Sequence, residues 1–236
     1  MKYIKLIGIA FVTITDVAKT LLHLRFRGTK GFFNITRKWS GKVLKILGVS
    51  VEIRGAEHIN PNETYVYVMN HTSLLDIPVI QNAFPDDVLF VYKKELEKVP
   101  VFGTGLKASP YISIDRSDPR NSMAAIDTAV ESIRQGDSVI IFPEGTRSED
   151  GKLGEFKRGA FMLASRSGRK IVPLVITGAN KCVPNKKLDL KPGKVRVDIF
   201  EPIDFEIKNK ADEVALMEKV RVIISKGLED AKQPVV

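Results

Sequence analysis

From Val49 onward, short runs of β-branched and aromatic residues alternate with longer stretches in which apolar positions recur every three or four residues. The runs fall at 50–54, 64–69, 87–92, 110–114, 138–142, 170–176 and 194–200 and predict strands. The stretches at 74–83, 119–134, 156–167 and 210–227 predict helices. Such alternation implies an α/β domain: a mostly parallel or mixed twisted sheet of about seven strands, flanked by helices. In the last run Val195, Val197 and Ile199 alternate with Arg196 and Asp198, which predicts a strand at an exposed edge.

Residues 1–47 follow a different pattern, that of two helices joined around Arg27-Gly28-Thr29-Lys30-Gly31. In the second helix Phe32, Ile35, Trp39, Val43, Ile46 and Leu47 share one side, and Arg37, Lys38, Lys42 and Lys45 fill the positions between. The first holds the apolar run Leu6 to Ile14, well short of the ~20 apolar residues a spanning helix needs. A basic amphipathic hairpin of this kind fits a membrane interface, where apolar burial adds to attraction for anionic lipid. The expected division is therefore 1–47 as a membrane-associating hairpin and 48–236 as the α/β domain. A secretory leader is not indicated, since no small-x-small cleavage pattern follows and basic residues continue for thirty positions.

Charge sharpens this division. The 236-residue chain carries a formal net charge of +9, and residues 1–47 hold ten basic residues against Asp16 alone. The hairpin thus accounts for the whole excess, and the remainder is neutral. A nucleic-acid arm would use the same lysines but would leave Leu6 to Ile14 without a purpose, so no nucleic acid is expected. With 44% hydrophobic residues the chain can bury a full core. Cys182, the single cysteine, excludes an internal disulfide and fits a reducing compartment. Neither cysteine nor the three histidines form a metal-ligand cluster, so no metal is expected.

Candidate chemistry lies at the carboxyl ends of the predicted strands, where open α/β sheets bind ligands. His71 follows the strand ending near Met69, Arg116 follows Tyr111 to Ile114, and Glu144-Gly145-Thr146-Arg147 follow Ser138 to Ile141. Gly178, ending another strand, falls on the same rim. A carboxylate at Asp76, in the first turn of a helix, can orient His71 as a general base. Ser73 and Asp76 also match a capping box, which needs no catalysis. Arg147 on a glycine turn offers a planar donor fork suited to phosphate. Lys93 and Lys94 bring further cations, or form a solvated face. The stretch Gly103 to Lys107 lacks phosphate-loop spacing.

Asn70-His71 to Asp76 matches H-x4-D, and Phe142 to Ser148 reads F-P-E-G-T-R-S. With Lys94-Glu95-Leu96 to Pro100, Gly103 to Asp115-Arg116, and Ile171-Val172-Pro173-Leu174 in order, the chain resembles the glycerolipid acyltransferases over about residues 64–178. Within them it is most similar to the 1-acylglycerol-3-phosphate (lysophosphatidate) acyltransferase branch. One departure is local: Ser109-Pro110 stands where these enzymes usually carry glycine, and Tyr111 to Ser113 is unusual there.

The resemblance implies transfer of a fatty acyl group from an acyl carrier protein or coenzyme A thioester to the sn-2 hydroxyl of lysophosphatidate. It implies His71 as base, Asp76 as its orienter, and no acyl-enzyme. Arg147, aided by Lys94 and Arg116, would bind the substrate phosphate. Glu144, Gly145 and Thr146 would orient the substrate, with Gly145 letting a backbone amide approach the oxyanion. No cofactor is implied beyond the thioester co-substrate. The implied location is the cytoplasmic face of the cell membrane, peripheral or monotopic through residues 1–47. Rival readings are another acceptor (glycerol-3-phosphate or a different lysophospholipid), a hydrolase using Ser73 or Cys182, and a non-enzymatic binding module. The chain has no G-x-S-x-G elbow to support the hydrolase.

Overall fold

A computed structural model describes residues 2–115, 117–148, 151–185 and 189–231. Each of the seven apolar runs forms a strand, and all seven join one mixed sheet. They are β1 (Val49–Arg54), β2 (Val66–Met69), β3 (Val88–Lys93), β4 (Ile112–Ile114), β5 (Ser138–Ile141), β6 (Ile171–Thr177) and β7 (Gly193–Ile199). The order across the sheet is β1-β7-β6-β2-β5-β3-β4. Only the β6–β7 pair is antiparallel; the other neighbours are parallel. The central strand β2 is buried at every position, between β5 and β6.

The exposed-edge expectation for β7 does not hold. β1 pairs with it in parallel from Val49↔Gly193 to Arg54↔Asp198 and takes the edge instead. Arg196 and Asp198 alternate with buried residues because one face of β7 lacks a full cover, and they pair with each other at 2.9 Å.

Helices cover both faces. On one lie α2 (Phe32–Leu47) and α3 (Asp76–Ala83), with Val43, Leu44, Val79 and Ile80 packed on Tyr67, Phe90 and Leu174. On the other lie α5 (Pro119–Arg134), α6 (Gly159–Ser167) and the C-terminal α8 (Lys210–Asp230). The predicted starts at 74 and 156 come late for local reasons. Asp76 turns back to the preceding loop, and the Lys157 amide donates to Pro143 O (2.8 Å) rather than joining a helical turn. Two short helices, α4 (Phe102–Ala108) and α7 (Ala179–Cys182), had no counterpart in the pattern.

The N-terminal segment is the expected pair of helices, α1 (Lys2–Arg27) and α2. Its division of labour differs from expectation, however. The apolar side of α2 is buried against the α/β domain through Phe32, Val43, Leu44 and Leu47, so it has little left to offer lipid. The apolar surface left open is on α1, where Ile4, Ile7, Phe11 and Ile14 recur along one exposed stripe. Polar contacts hold the pair together. Lys42 reaches the buried Asp16 at 2.7 Å, and Trp39 Nε1 donates to Thr13 Oγ1 at 3.1 Å. No helix among the described residues is long and apolar enough to cross a membrane.

Candidate active site

Because β2, β5, β3 and β4 run parallel, the segments after them meet at one end of the sheet. The β2 end is pinned by Asn70, whose side chain both donates to Ile176 O (3.0 Å) and accepts from Ile176 N (2.8 Å). His71 comes next. Its Nδ1 lies 2.7 Å from Asp76 Oδ2, and its ring stacks on Phe142 at 4.0 Å between centroids. Asp76 is completely buried, and the same oxygen accepts from the backbone N–H of Thr72 (2.8 Å) and Ser73 (3.0 Å). With Asp76 accepting, Nδ1 carries the proton, and Nε2 is left as the basic nitrogen on the cavity side.

Only half of the capping box is formed. Asp76 accepts from the Ser73 amide, while Ser73 Oγ donates to Val183 O (2.7 Å) and accepts from Leu75 N. The serine is fully buried and tied to the scaffold, as Cys182 is buried nearby, which leaves neither placed as a nucleophile.

The segment after β5 folds back over His71. Gly145 N donates to Phe142 O (3.0 Å) and closes a turn that puts Gly145 at φ 70°, a conformation that favours glycine. That hydrogen is thereby committed to the turn. Ser148 N donates to His71 O (2.8 Å), fastening the far end of the turn to the histidine. Glu144, expected to orient substrate, directs its two oxygens to backbone: Oε1 accepts from His71 N and Oε2 from Gly154 N, both at 2.8 Å. Burial pushes its carboxyl upward, against the pull of those two N–H groups. Glu144→Gln, whose amide nitrogen cannot accept, is expected to strand one donor, costing ~1–3 kcal/mol and lowering kcat about tenfold or more. Steady-state kinetics beside thermal melts check this; unchanged kcat would show that the staple does not matter to His71.

These groups open on a cavity of about 770 Å³ roofed by α1 and α2. His71, Arg147 and Lys157 line it together with the apolar side chains of Phe32, Trp39 and Phe90 and with Asp16, which Lys42 pairs. Tyr111, also on the wall, accepts from Gln81 Nε2 (2.7 Å), and burial raises its phenol to about 12. Among the described residues, neither Arg147 nor Lys157 has a carboxylate within ion-pair range. An imidazole oriented by a carboxylate, two cations with no carboxylate partner among the described residues, and apolar side chains share one cavity.

The Acyltransferase family model matches residues 50–177, more than half of the chain. The chain belongs to the acyltransferase family. Among its relatives, a 1-acyl-sn-glycerol-3-phosphate acyltransferase of Cocos nucifera is 32% identical over 84% of this chain and 64% of its own. The chloroplastic 1-acyl-sn-glycerol-3-phosphate acyltransferase BAT2 of Brassica napus is 37% identical over 64% of this chain and 44% of its own. This acyltransferase therefore spans less than half the length of some plant relatives it matches. The crystal structure of PlsC, the 1-acyl-sn-glycerophosphate (LPA) acyltransferase of Thermotoga maritima, matches with TM-score 0.80 and 26% identity. That match covers 99% of this chain and 98% of PlsC.

The remaining expected site residues of the acyltransferase are distributed as follows. Thr146 lines the cavity and is exposed. Lys94 begins a 3-10 turn (Lys94–Lys98) and is exposed, while its neighbour Lys93, at the end of β3, lines the cavity. Arg116 lies outside the described residues. Gly178 caps α7 and is not on the cavity wall. Ser109 ends α4, with Oγ donating to Leu106 O, so Ser109-Pro110 turns the chain from that helix into β4. Sequence reasoning missed Lys157. Its stem lies across Gly145, where an added Cβ would come within 3.1–3.2 Å of Nζ, Cδ and Cε. Glycine at 145 is favoured by its backbone angle, and a larger residue there would also press on this lysine.

Proposed function

We propose that this acyltransferase transfers a fatty acyl group from an acyl carrier protein or coenzyme A thioester to the sn-2 hydroxyl of lysophosphatidate. The observation that carries the proposal is the shared cavity: an oriented imidazole and two cations with no carboxylate partner among the described residues, in one space with apolar wall residues. His71 Nε2 takes the hydroxyl proton as that oxygen attacks the thioester carbonyl. Asp76 stabilises the imidazolium that forms. The tetrahedral intermediate collapses with departure of the thiolate, which His71 reprotonates, and phosphatidate is released. The acyl group passes directly, with no acyl-enzyme.

Arg147 and Lys157 bind the acceptor's phosphate monoester, two positive charges against a group of charge near −2. Lys94 and Arg116 add to the local field, and Thr146 and the Glu144 turn orient the glycerol end. The donor's acyl chain lies against those apolar wall residues. The stripe on α1 rests in the interface of an anionic membrane at its cytoplasmic face, so that the lipid acceptor reaches the cavity without leaving the bilayer.

Arg147→Ala and Lys157→Met are each expected to raise KM for lysophosphatidate about 10–100-fold, the loss of a charge-assisted hydrogen bond, with a smaller effect on kcat. The assay compares lysophosphatidate, glycerol-3-phosphate and a lysophospholipid carrying a diester headgroup. Unchanged KM in both variants would move the phosphate elsewhere, and a better substrate in the panel would replace the acceptor.

A further inference from the structure

The segment between β3 and α4 contains a backbone feature that the catalytic account does not use. Val101 has φ 63° and ψ −58°, the only non-glycine positive φ among the described residues. Phe102 N donates to Pro100 O at 2.7 Å across it, closing a three-residue γ-turn of the rare, strained kind. A β-branched residue is poorly suited to that angle. The turn is locked from behind, because Gly103 lies so close to Glu97 that an added Cβ would meet the Glu97 carbonyl oxygen at 2.2 Å. The consequence is a division of side chains. Phe102 turns inward toward Trp39 at the cavity wall, while Leu96, Val99 and Val101 are 40%, 43% and 38% exposed.

Charge around this knuckle is mixed, four lysines (Lys93, Lys94, Lys98 and Lys107) standing beside Glu95, Glu97 and Asp115. Glu97 accepts from Tyr92 OH (3.1 Å) and Ser113 Oγ (2.7 Å), and Glu95 is paired with Lys93 at 2.9 Å. Lys94, Lys98 and Lys107 are exposed and, among the described residues, make no contact ion pair, although Lys94 and Lys107 act on Glu97 through space. The following helix α4 packs on α1, with Gly105 against Val17. Val17 is one helical turn from Leu21, an exposed apolar residue of α1, so the helix that follows the knuckle packs within a turn of exposed apolar surface on α1.

We infer that Leu96, Val99 and Val101 form a second membrane contact, inserted into the interface of an anionic bilayer beside α1, at the rim of the cavity. Exposed apolar side chains beside lysines whose ammonium groups make no contact ion pair among the described residues match such an interface in both components. The strained turn holds them outward in advance of contact. This inference rests on the proposal that α1 itself lies in the bilayer.

Single tryptophans at Ile7→Trp on α1 and Val99→Trp on the knuckle test it in the full chain. Each is titrated with phosphatidylglycerol vesicles bearing brominated acyl chains, against the Trp39 signal of the unaltered protein. Quenching above that background at both positions is expected. Val99→Glu should also lower partition onto the same vesicles about tenfold, with an unchanged circular dichroism spectrum. Quenching at Ile7→Trp but not at Val99→Trp would overturn the second contact and leave the α1 proposal standing. Quenching at neither would overturn both. Burial of Val99→Trp by an acidic carrier protein, but not by vesicles, would reassign the knuckle to a protein partner.

Discussion

Replacing His71 by alanine is expected to lower kcat by ~10³-fold or more while the protein stays folded, since a positioned general base contributes about 10²–10⁴. The structure explains why folding survives. The anchors at this position are backbone groups, Glu144 on the amide and Ser148 on the carbonyl, and alanine keeps both. What is lost is the ring's stacking on Phe142 and its bond to Asp76, at a cost in stability of ~1–2 kcal/mol. KM for the acceptor should move little, because Arg147 and Lys157 are untouched. Thermal melts beside acyl-transfer kinetics check both halves. Substantial turnover by a folded His71→Ala protein would remove His71 from the chemistry.

Asp76→Asn should cost about 10³-fold in rate, through the lost charge beside His71 rather than through the fold. Asp76 Oδ2 accepts three hydrogen bonds, from His71 Nδ1 and from the amides of Thr72 and Ser73. All three bonds fall on one oxygen, so an asparagine whose carbonyl oxygen takes that place keeps them and sets its NH2 where Oδ1 stood, beside Thr72 Oγ1. The imidazole keeps its tautomer but loses the carboxylate charge that stabilises the imidazolium formed when Nε2 takes the proton. Stability falls by ~1–3 kcal/mol, as bonds to a charged acceptor become bonds to a neutral one. Alanine at 76 would strand all three donors and confound unfolding with inactivity. A folded Asp76→Asn protein with near-normal kcat would mean that Asp76 serves only to shape the loop.

The sheet was legible in the sequence because burial on both faces leaves uninterrupted apolar runs, and β2, β5 and β6 are of this kind. The convergence of His71, Asp76 and Arg147 was legible because each lies in the segment that follows such a run, and parallel strands bring those segments together. What was not legible depends on packing between distant segments. α4 carries Gly103 and Gly105, two poor helix formers, which are required by contacts with Glu97 and Val17 that no local pattern contains. β7 looked like an edge because its polar positions alternate, but its place was decided by β1, more than a hundred residues away. Lys157 sits beside Arg158, and the sequence does not distinguish them. In the fold Arg158 is paired with Glu213, while Lys157 lies across Gly145 and faces the cavity with no carboxylate partner among the described residues.

The most direct test of the central claim is a labelled-acyl transfer assay on vesicles, with acyl carrier protein and coenzyme A thioesters supplied in turn and lysophosphatidate present or withheld. Label should appear in phosphatidate only when the acceptor is present, and none should remain on the denatured protein in either case. Label bound covalently to the protein, or no labelled phosphatidate from either thioester, would contradict direct transfer to this acceptor.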